Sequence, residues 1–282
     1  MNIEKHLLVE GSSDNYQIDI SRATNYGVNS PRKDSGTLQN PDTVVLHYTA
    51  SNNINSDIRT LYESTKEASV QFLVDTDGKV YQLMPANRIA WHAGKSRLGN
   101  RTGMNKYSIG IEIVNPGYLV QKSDGSLATW YNEAVKPENA IKLQHKNENF
   151  ERFWHIYTHG QIDSVKELCL ALCEAYNINN IVGHDDVSPG RKQDPGPAFP
   201  LNNITTIVLD DRNESLNLVE KEKLYSTVKV DNLNIRQNGN ANAKKVALPL
   251  AKGQQLRIIE EKNGWCKVET TITGWVKSDY ID

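Results

Sequence analysis

The sequence has few cysteines, no long apolar run and no excess of charge of one sign. Its three cysteines include no C-x-x-C pair, and their odd number argues against a disulfide framework. Cys169 and Cys173 lie four residues apart in a helix-like stretch, so we interpret them as buried small apolar residues. The apolar run from Leu7 to Val9 is far shorter than a signal-peptide core of about 7–15 residues. No stretch approaches the roughly 20 apolar residues of a membrane span, so we expect neither a Sec-type leader nor a membrane span.

The charge balance excludes one class of partner. The formal net charge is −2, and neither residues 1–202 nor residues 203–282 have the basic excess that nucleic-acid binding usually requires. Nucleic acid is therefore not an expected partner. A hydrophobic fraction of 38% with five tryptophans supports a buried core in a globular protein.

The chain divides into regions that differ in composition and hydrophobic pattern. Residues 1–40 are polar and turn-rich and are interpreted as an N-terminal arm. Strands alternate with helices over 41–202, which predicts an α/β sheet flanked by helices. Residues 203–223 are polar and charged and resemble a linker with at most one short element. Short strands separated by Asn-Gly, Lys-Gly and Thr-Gly turns over 224–282 predict a small all-β barrel.

Local patterns place several elements in the first region. The β-branched stretch 43–50 predicts a buried strand, and 107–115 predicts another. Ser56 is a candidate helix cap, and Asp75 to Gly78 has the residues of a hairpin turn. Thr158 three residues before Gln161 forms a capping box, so the clearest helix should begin just after Thr158. The pattern over 121–155 is weak and indicates a surface excursion.

Two strands each carry a titratable side chain on an otherwise apolar pattern. Alternation places His47 on the same face as Val45 and opposite Leu46. Taken alone, a histidine in such a strand is more often a hydrogen-bonded core residue than a ligand. A carboxylate at Glu112 costs several kcal/mol unless it is paired or placed in a site. Glu112 is therefore either a salt-bridge partner or a general base whose pKa is raised by burial.

A loop rich in proline and glycine supplies further candidates. The stretch "GHDDVSPGRKQDPGPAFP" (183–200) contains His184, Lys192 and Asp194. Asp-Pro-Gly by itself is an ordinary turn, but a turn does not explain the three polar residues together. A backbone held in one shape is what a metal-ligand set requires.

Other histidines compete for the same role. His155 and His159 have the spacing of the two histidines in H-E-x-x-H, but the glutamate is missing and the Thr158 cap places His155 before the helix. His92, in "AWHAG", is expected to line a cleft or to satisfy a local backbone group. His6 and His145 lie in polar surroundings and are expected to be solvated.

Four stretches in this order carry a family resemblance: "VVLHYTA", "AWHAGKSRLG", "YSIGIEIVNPG" and the 183–200 loop. Together they resemble the zinc-dependent N-acetylmuramoyl-L-alanine amidases of the amidase-2 family, within it the AmpD/AmiD group, which share a fold with peptidoglycan-recognition proteins. This resemblance implies a mixed central sheet over about 43–200. "LNIR", "GWCKV" and "GWVKSDYI" in 224–282 resemble a bacterial SH3-type domain.

The resemblance also implies roles for individual residues. His47, His184 and Asp194 would bind one Zn²⁺ and leave a position open for water. Glu112 would take a proton from that water, and Lys192 would stabilise the oxyanion on the attacked carbonyl. For contacts with substrate, the resemblance suggests Trp91, His92, Arg97 and Asn115. The family often has histidine at the position of Gln71, which is not a ligand, so this departure leaves the implied mechanism intact.

The activity implied is hydrolysis of the amide between N-acetylmuramic acid and L-alanine, with peptidoglycan or muropeptides as partners. Three alternatives remain: a zinc-less peptidoglycan-binding protein, a cytosolic enzyme recycling anhydro-muropeptides, and a peptidase that cuts the L-alanyl–D-glutamate bond. A wall-binding module is of little use in the cytosol, which favours action on the cell wall after lysis or dedicated export. The oligomeric state is left open by the sequence.

Overall fold

The structure is a computed structural model of the chain. It describes residues 1–9, 16–27, 35–64, 68–209, 225–247 and 249–269. The chain forms two compact units, Met1–Arg212 and Asn213–Asp282. The strands are β1 (Asn2–Glu4), β2 (Leu7–Val9), β3 (Ile18–Asp19), β4 (Thr43–Tyr48), β5 (Phe72–Val74), β6 (Val80–Gln82), β7 (Arg97–Leu98), β8 (Arg101–Thr102), β9 (Ser108–Ile113), β10 (Tyr118–Gln121), β11 (Leu127–Thr129), β12 (Ala134–Val135), β13 (Ala140–Gln144), β14 (Glu151–His155), β15 (Asn180–Gly183), β16 (Tyr225–Thr227), β17 (Gln255–Lys262) and β18 (Trp265–Glu269).

The helices are fewer and mostly short. They are α1 (Ser21–Thr24), α2 (Ile54–Ile58), α3 (His159–Ala175) and α4 (His184–Val187), with a π-helical turn at Arg59–Glu63, 3₁₀ turns at Met104–Lys106 and Pro137–Asn139, and further helical residues at 201–209. Helix α3 is the longest of these, and it begins directly after Thr158, as the capping box predicted. The Thr158 hydroxyl accepts a hydrogen bond from the Gln161 backbone N–H, and the Gln161 side chain accepts one from the Thr158 N–H in return.

A mixed six-stranded sheet forms the centre of the first unit. Its strand order is β15-β4-β9-β5-β6-β3, and β4 runs parallel to both β15 and β9. The β5–β6 pair is the antiparallel hairpin that the Asp75 to Gly78 turn predicted. Parallel strands end at the same edge of a sheet, where α/β proteins usually bind ligands. The carboxyl ends of β15, β4 and β9 therefore define the edge on which a site is expected.

The two faces of β4 pack against different neighbours. Val44 and Leu46 lie in the large core cluster that contains the buried face of α3, including Val165 and Leu168. Val45 packs on the opposite face with Ala93, Met104 and Val187. The alternation predicted for this strand is confirmed, and it places His47 on the face turned away from α3.

One sequence prediction about local elements was wrong, and another was incomplete. The helix cap is Asn53, whose side chain accepts a hydrogen bond from the Ser56 backbone N–H, so Ser56 lies inside α2. Residues 121–155, expected to form a surface excursion, contribute to a five-stranded antiparallel sheet of order β12-β11-β10-β14-β13. Short strands of two to five residues leave too little periodicity for the sequence to reveal this second sheet.

Both ends of the first unit are packed more closely than the sequence indicated. The described part of 1–40 supplies β3 to the central sheet, and Leu8 and Leu38 belong to the main core. At the other end, residues 201–209 are helical, and Ile204 and Val208 are buried in the same core. Packed structure therefore continues past residue 202, where a linker was expected to begin.

The second unit contains a three-stranded antiparallel sheet of order β16-β17-β18. Val228, Leu250 and Leu256 form its buried apolar cluster. The predicted strand "TGWVKSDYI" lies outside the described residues. Among the helices that are described, none has both the length and the apolar character to cross a membrane.

Candidate metal centre and catalytic site

Three polar side chains converge at the carboxyl edge of the central sheet. The Nδ1 atoms of His47 and His184 lie 2.9 Å apart, and the Asp194 Oδ2 atom is 2.9 Å from each of them. All three residues are buried. Their ligand atoms form a group compact enough to hold one metal ion.

The strand order explains how distant residues meet. In the register between β15 and β4, Gly183 pairs with Leu46, so the residue that follows each of them lies at the same edge. These following residues are His184 and His47. The loop returns Asp194 to this point because the Asp185 backbone N–H donates to the Asp194 carbonyl at 2.9 Å.

Further contacts hold the loop on its other side. The Tyr157 hydroxyl donates to the Pro195 carbonyl at 2.7 Å. Near the start of the loop, the Lys192 backbone N–H donates to the Ser188 carbonyl at 3.1 Å. The backbone is thus restrained on both sides of Lys192, as the proline and glycine content predicted.

The protonation states of His47 and Asp194 suit a divalent cation. Burial lowers the pKa of His47 to about 4, so its imidazole is neutral at physiological pH. Burial alone would raise the pKa of Asp194, but its contacts with the two imidazoles outweigh burial and hold its pKa well below the usual range. The His184 Nε2 atom lies 3.1 Å from the Ala93 carbonyl and 3.3 Å from an Arg191 guanidinium nitrogen, while its Nδ1 atom faces His47 and Asp194.

Zinc fits this donor set. Two imidazole nitrogens and one carboxylate are ligands that catalytic zinc sites use, and atoms bound to one Zn²⁺ at about 2.0–2.2 Å lie roughly 3 Å apart. Two imidazole nitrogens and a carboxylate oxygen lie 2.9 Å from one another, so a cation bound among them would interact favourably with all three.

Glu112 lies beside this centre on the neighbouring strand. It is the register partner of His47 in the parallel β4–β9 pair, so both side chains point to the same face. Its Oε2 atom is buried and has no hydrogen-bond partner within the described residues. Burial, and then the negative charges of Asp194 and Asp57, raise the pKa of Glu112 well above its usual value. A carboxyl group with a raised pKa in a site is a candidate general base.

Lys192 completes the group. Its side chain is half-buried, and its positive charge lowers the pKa of both Glu112 and His47. The ammonium group therefore lies close enough to act electrostatically on the site. The structure brings together all five residues to which the resemblance gave a metal-binding or catalytic role.

The four expected substrate contacts do not share one environment. Trp91 is half-exposed, and its indole N–H donates to the Ser35 hydroxyl at 2.5 Å. Arg97 is exposed, and its Nε donates to the Gly99 carbonyl at 2.8 Å. Both side chains remain accessible to a ligand, and a contact with substrate stays a prediction for each.

The other two expected contacts are occupied by the protein itself. Asn115 is buried, donates to the Ile156 carbonyl at 3.0 Å and accepts from the Gly117 backbone N–H at 2.8 Å. His92 is partly exposed and contacts His47, with its Nδ1 atom 2.9 Å from the His47 Nε2 atom. Both side chains thus have partners within the protein, and a contact with substrate stays a prediction for each.

The turn between β13 and β14 contains contacts that the sequence did not indicate. His145 was expected to be solvated, but it is buried and its Nε2 lies 2.9 Å from the Asp185 Oδ2 atom. The Asn147 side chain donates to the Asp185 carbonyl at 3.1 Å, and the Gln193 side chain donates to Glu148 at 2.5 Å. The second sheet therefore supports the metal-binding loop. No sequence signal linked these residues, since about 40 positions separate them.

The remaining histidine pair and Gln71 are also explained. His155 ends β14 and His159 begins α3, so the two do not share a helix face. Gln71 accepts from the Gly110 backbone N–H and donates to the Arg88 carbonyl, both at 2.8 Å. Gln71 thus links β9 to the loop before Trp91.

Comparison with known families gives two matches along the chain. Residues 37–197 match the model of the Amidase_2 family, described as N-acetylmuramoyl-L-alanine amidase. Residues 231–282 match the bacterial SH3 domain.

Individual relatives cover part of the chain. The N-acetylmuramoyl-L-alanine amidase AmiD of Escherichia coli (strain K12) is 30% identical over 188 residues, which are 64% of this chain and 57% of the relative. The 1,6-anhydro-N-acetylmuramyl-L-alanine amidase AmpD of the same organism is 29% identical over 142 residues, 50% of this chain and 58% of the relative. The chain thus spans somewhat more than half the length of these curated relatives.

Solved structures add a similar match. A complex of Escherichia coli AmiD with anhydro-N-acetylmuramic acid-L-Ala-D-γ-Glu-L-Lys has a TM-score of 0.46 and 29% identity, with 62% of this chain and 60% of that chain covered. Because the family model matches more than half of the 282 residues, the chain belongs to the amidase-2 family of N-acetylmuramoyl-L-alanine amidases.

Proposed function

We propose that the protein is a zinc-dependent amidase that hydrolyses the bond between N-acetylmuramic acid and L-alanine in peptidoglycan or its fragments. The observation that carries this proposal is the triangle of His47, His184 and Asp194 ligand atoms beside Glu112, whose Oε2 atom is buried. Membership of the amidase family supports the choice of bond. The intact donor set argues against a zinc-less binding protein.

Each residue has a defined chemical task in this proposal. His47, His184 and Asp194 would hold Zn²⁺, which when bound lowers the pKa of a water ligand and polarises a carbonyl. Glu112 takes a proton from the attacking water at its carboxylate and passes it to the departing amine of L-alanine. Lys192 stabilises the negative charge that develops on the attacked carbonyl oxygen.

Burial explains why Glu112 can perform both proton transfers. A carboxyl group in water is a weak base, since its pKa lies near 4.3. In the site, burial raises the pKa of Glu112, which brings it closer to that of the groups with which it exchanges protons. The positive charge of Lys192 counteracts part of this rise in pKa and so favours the ionised carboxylate that acts as the base.

The test combines metal content with product analysis. Purified protein should contain about one zinc per chain, and His47→Ala or Asp194→Ala should lose most of it. His159→Ala is the matched control because this exposed histidine lies outside the site, and its zinc content should equal that of the parent. Parent-level zinc in both ligand variants would refute the assignment.

Mass spectrometry of digested muropeptides identifies the bond. An amidase releases sugar without peptide and a stem peptide that begins with L-alanine. A peptidase acting on the L-alanyl–D-glutamate bond leaves L-alanine on the sugar, and that product would refute the proposed specificity.

The bacterial SH3 domain favours action on the cell wall over recycling of soluble fragments. Tethering a wall-binding module to an enzyme raises its effective concentration on an insoluble polymer. Removing this domain should reduce activity on intact sacculi while activity on soluble anhydro-muropeptides stays near that of the parent. Equal activity of both forms on sacculi would favour the recycling function.

A further inference from the structure

His92 lies against the proposed metal centre but has no role in the chemistry described above. Its Nδ1 atom is 2.9 Å from the His47 Nε2 atom, on the side of the His47 ring that faces away from Asp194. Its Nε2 atom is 3.3 Å from the Ser108 hydroxyl oxygen. The two imidazole rings meet edge to face, with centroids 5.1 Å apart.

The direction of these hydrogen bonds follows from the Ser108 hydroxyl group. The Ser108 hydroxyl has one proton, which it donates to the Met104 carbonyl at 2.7 Å. Toward His92 the hydroxyl oxygen can therefore only accept, so the His92 Nε2 atom carries a proton. In neutral His92 the Nδ1 atom then has a lone pair and accepts the proton of His47 Nε2.

We propose that His92 is a positioning residue that accepts a hydrogen bond from His47 Nε2 and so holds the His47 ring with Nδ1 directed at the metal position beside His184 and Asp194. Metal-binding histidines generally donate their second ring N–H to a partner that fixes the tautomer and the ring orientation. Here the partner is a second histidine, whose own orientation depends on Ser108 and the Met104 carbonyl. The inference rests on the proposed function, because it concerns how His47 is prepared for a metal.

Gly110 provides an independent indication that the ring position is built into the fold. A Cβ atom at Gly110 would lie 2.6 Å from the His92 Cγ atom and 2.8 Å from its Nδ1 atom. Real Cβ contacts are essentially never that short, so His92 occupies the space that a side chain on β9 would need. The φ of Gly110 is not in the left-handed region, and no backbone requirement explains the glycine. Contact with the imidazole is therefore the reason for glycine at this position.

A pair of variants separates the hydrogen bond from the packing. His92→Phe keeps a ring of similar size but removes the acceptor. His92→Asn loses ring volume, but its side-chain oxygen can occupy the position of Nδ1 and accept from His47. We expect His92→Phe to bind zinc about 10- to 100-fold more weakly than the parent, the usual loss for such a partner, while His92→Asn stays closer to the parent.

Two measurements on the full chain test this. Competition with a chromophoric chelator gives the zinc affinity of each variant, and ¹⁵N NMR of the zinc-loaded chain reports whether the His47 Nε2–H is hydrogen bonded. A hydrogen-bonded, slowly exchanging Nε2 proton is expected in the parent, and faster exchange of this proton is expected in His92→Phe. Melting curves establish that each variant is folded.

The outcomes are distinguishable from failure of the proposed function. A parent chain that binds no zinc refutes the metal centre itself. A parent that binds zinc while His92→Phe binds it equally well overturns the role of His92, as does His92→Asn losing as much affinity as His92→Phe. A zinc-loaded parent whose His47 Nε2–H is not hydrogen bonded also overturns it, even if neither variant folds.

Discussion

Gly110→Ala is the substitution whose cost can be worked out most directly from the structure. The added Cβ would lie 2.6 Å from the His92 Cγ, 2.8 Å from its Nδ1 and 3.0 Å from its Cδ2. The imidazole cannot move away freely, because hydrogen bonds tie it to His47 and Ser108. Either β9 shifts or the ring leaves its position and breaks these bonds.

Both responses cost free energy. Overpacking a well-packed interior costs about 1–3 kcal/mol, and a lost buried hydrogen bond adds about 1 kcal/mol. Alanine is favoured over glycine within a strand by roughly 0.5–1 kcal/mol, which offsets part of this cost. The net destabilisation should be about 1–3 kcal/mol, which corresponds to a drop in Tm of about 2–12 °C in a domain of this size.

Thermal unfolding of the metal-free chain and zinc competition together provide the assay. Gly110→Ala should melt earlier than the parent and bind zinc more weakly. The double variant Gly110→Ala/His92→Ala removes the ring that the new methyl group meets, so its destabilisation should be less than the sum of the two single changes. Additive losses, or a Gly110→Ala chain that melts with the parent, would refute the steric reasoning.

Four further predictions concern the catalytic residues and the domain boundary. Glu112→Gln should keep its zinc while turnover falls about 10²–10⁴-fold, and Lys192→Met should lose about 10²–10³-fold in kcat. Steady-state kinetics with metal analysis of the same samples tests both predictions. Turnover equal to that of the parent would mean that the substituted residue has only a structural role. Burial raises the pKa of Glu112, so ionisation of its carboxyl group lowers folding stability as the pH rises above the pKa of glutamate in the unfolded chain, about 4.3. Metal-free Glu112→Gln should therefore have a higher Tm than the metal-free parent at pH 8 but not near pH 4. The same Tm difference at both pH values would contradict this. A truncation after residue 203 removes the buried Ile204 and Val208 and should lower the free energy of unfolding by about 3–5 kcal/mol. A truncation after Arg212 should melt like the first unit of the parent. Equal Tm values for the two truncations would show that the helical residues 201–209 contribute nothing to stability.

Much of the site followed from local patterns together with the family resemblance. The period of two along β4 and β9 assigned His47 and Glu112 to defined faces before any strand order was known. The Thr158 capping box located the start of α3 to the residue. These features depend only on neighbouring residues, whose geometry the backbone dictates.

The second sheet and the helix cap were harder to predict because they depend on contacts that the local sequence does not specify. Strands β10 to β14 are two to five residues long, and their stability comes from pairing with one another more than from their own sequence. The sequence analysis named Ser56 as the cap, whereas the structure has Asn53 in that role, and both residue types are good caps. Only the observed hydrogen bond from the Ser56 N–H to the Asn53 side chain distinguishes them.

The sequence by itself determined which residue types are present for zinc chemistry and on which strand face or loop they lie. The tertiary structure alone decided how they are supported. His92 meets His47 across 45 positions and His145 meets Asp185 across 40, and such contacts depend on strand order and loop path. The same local sequence is compatible with a side chain that is exposed to solvent and with one that is hydrogen bonded in the interior. Burial and hydrogen-bond partners are therefore decided only by the packing of the sheets and loops.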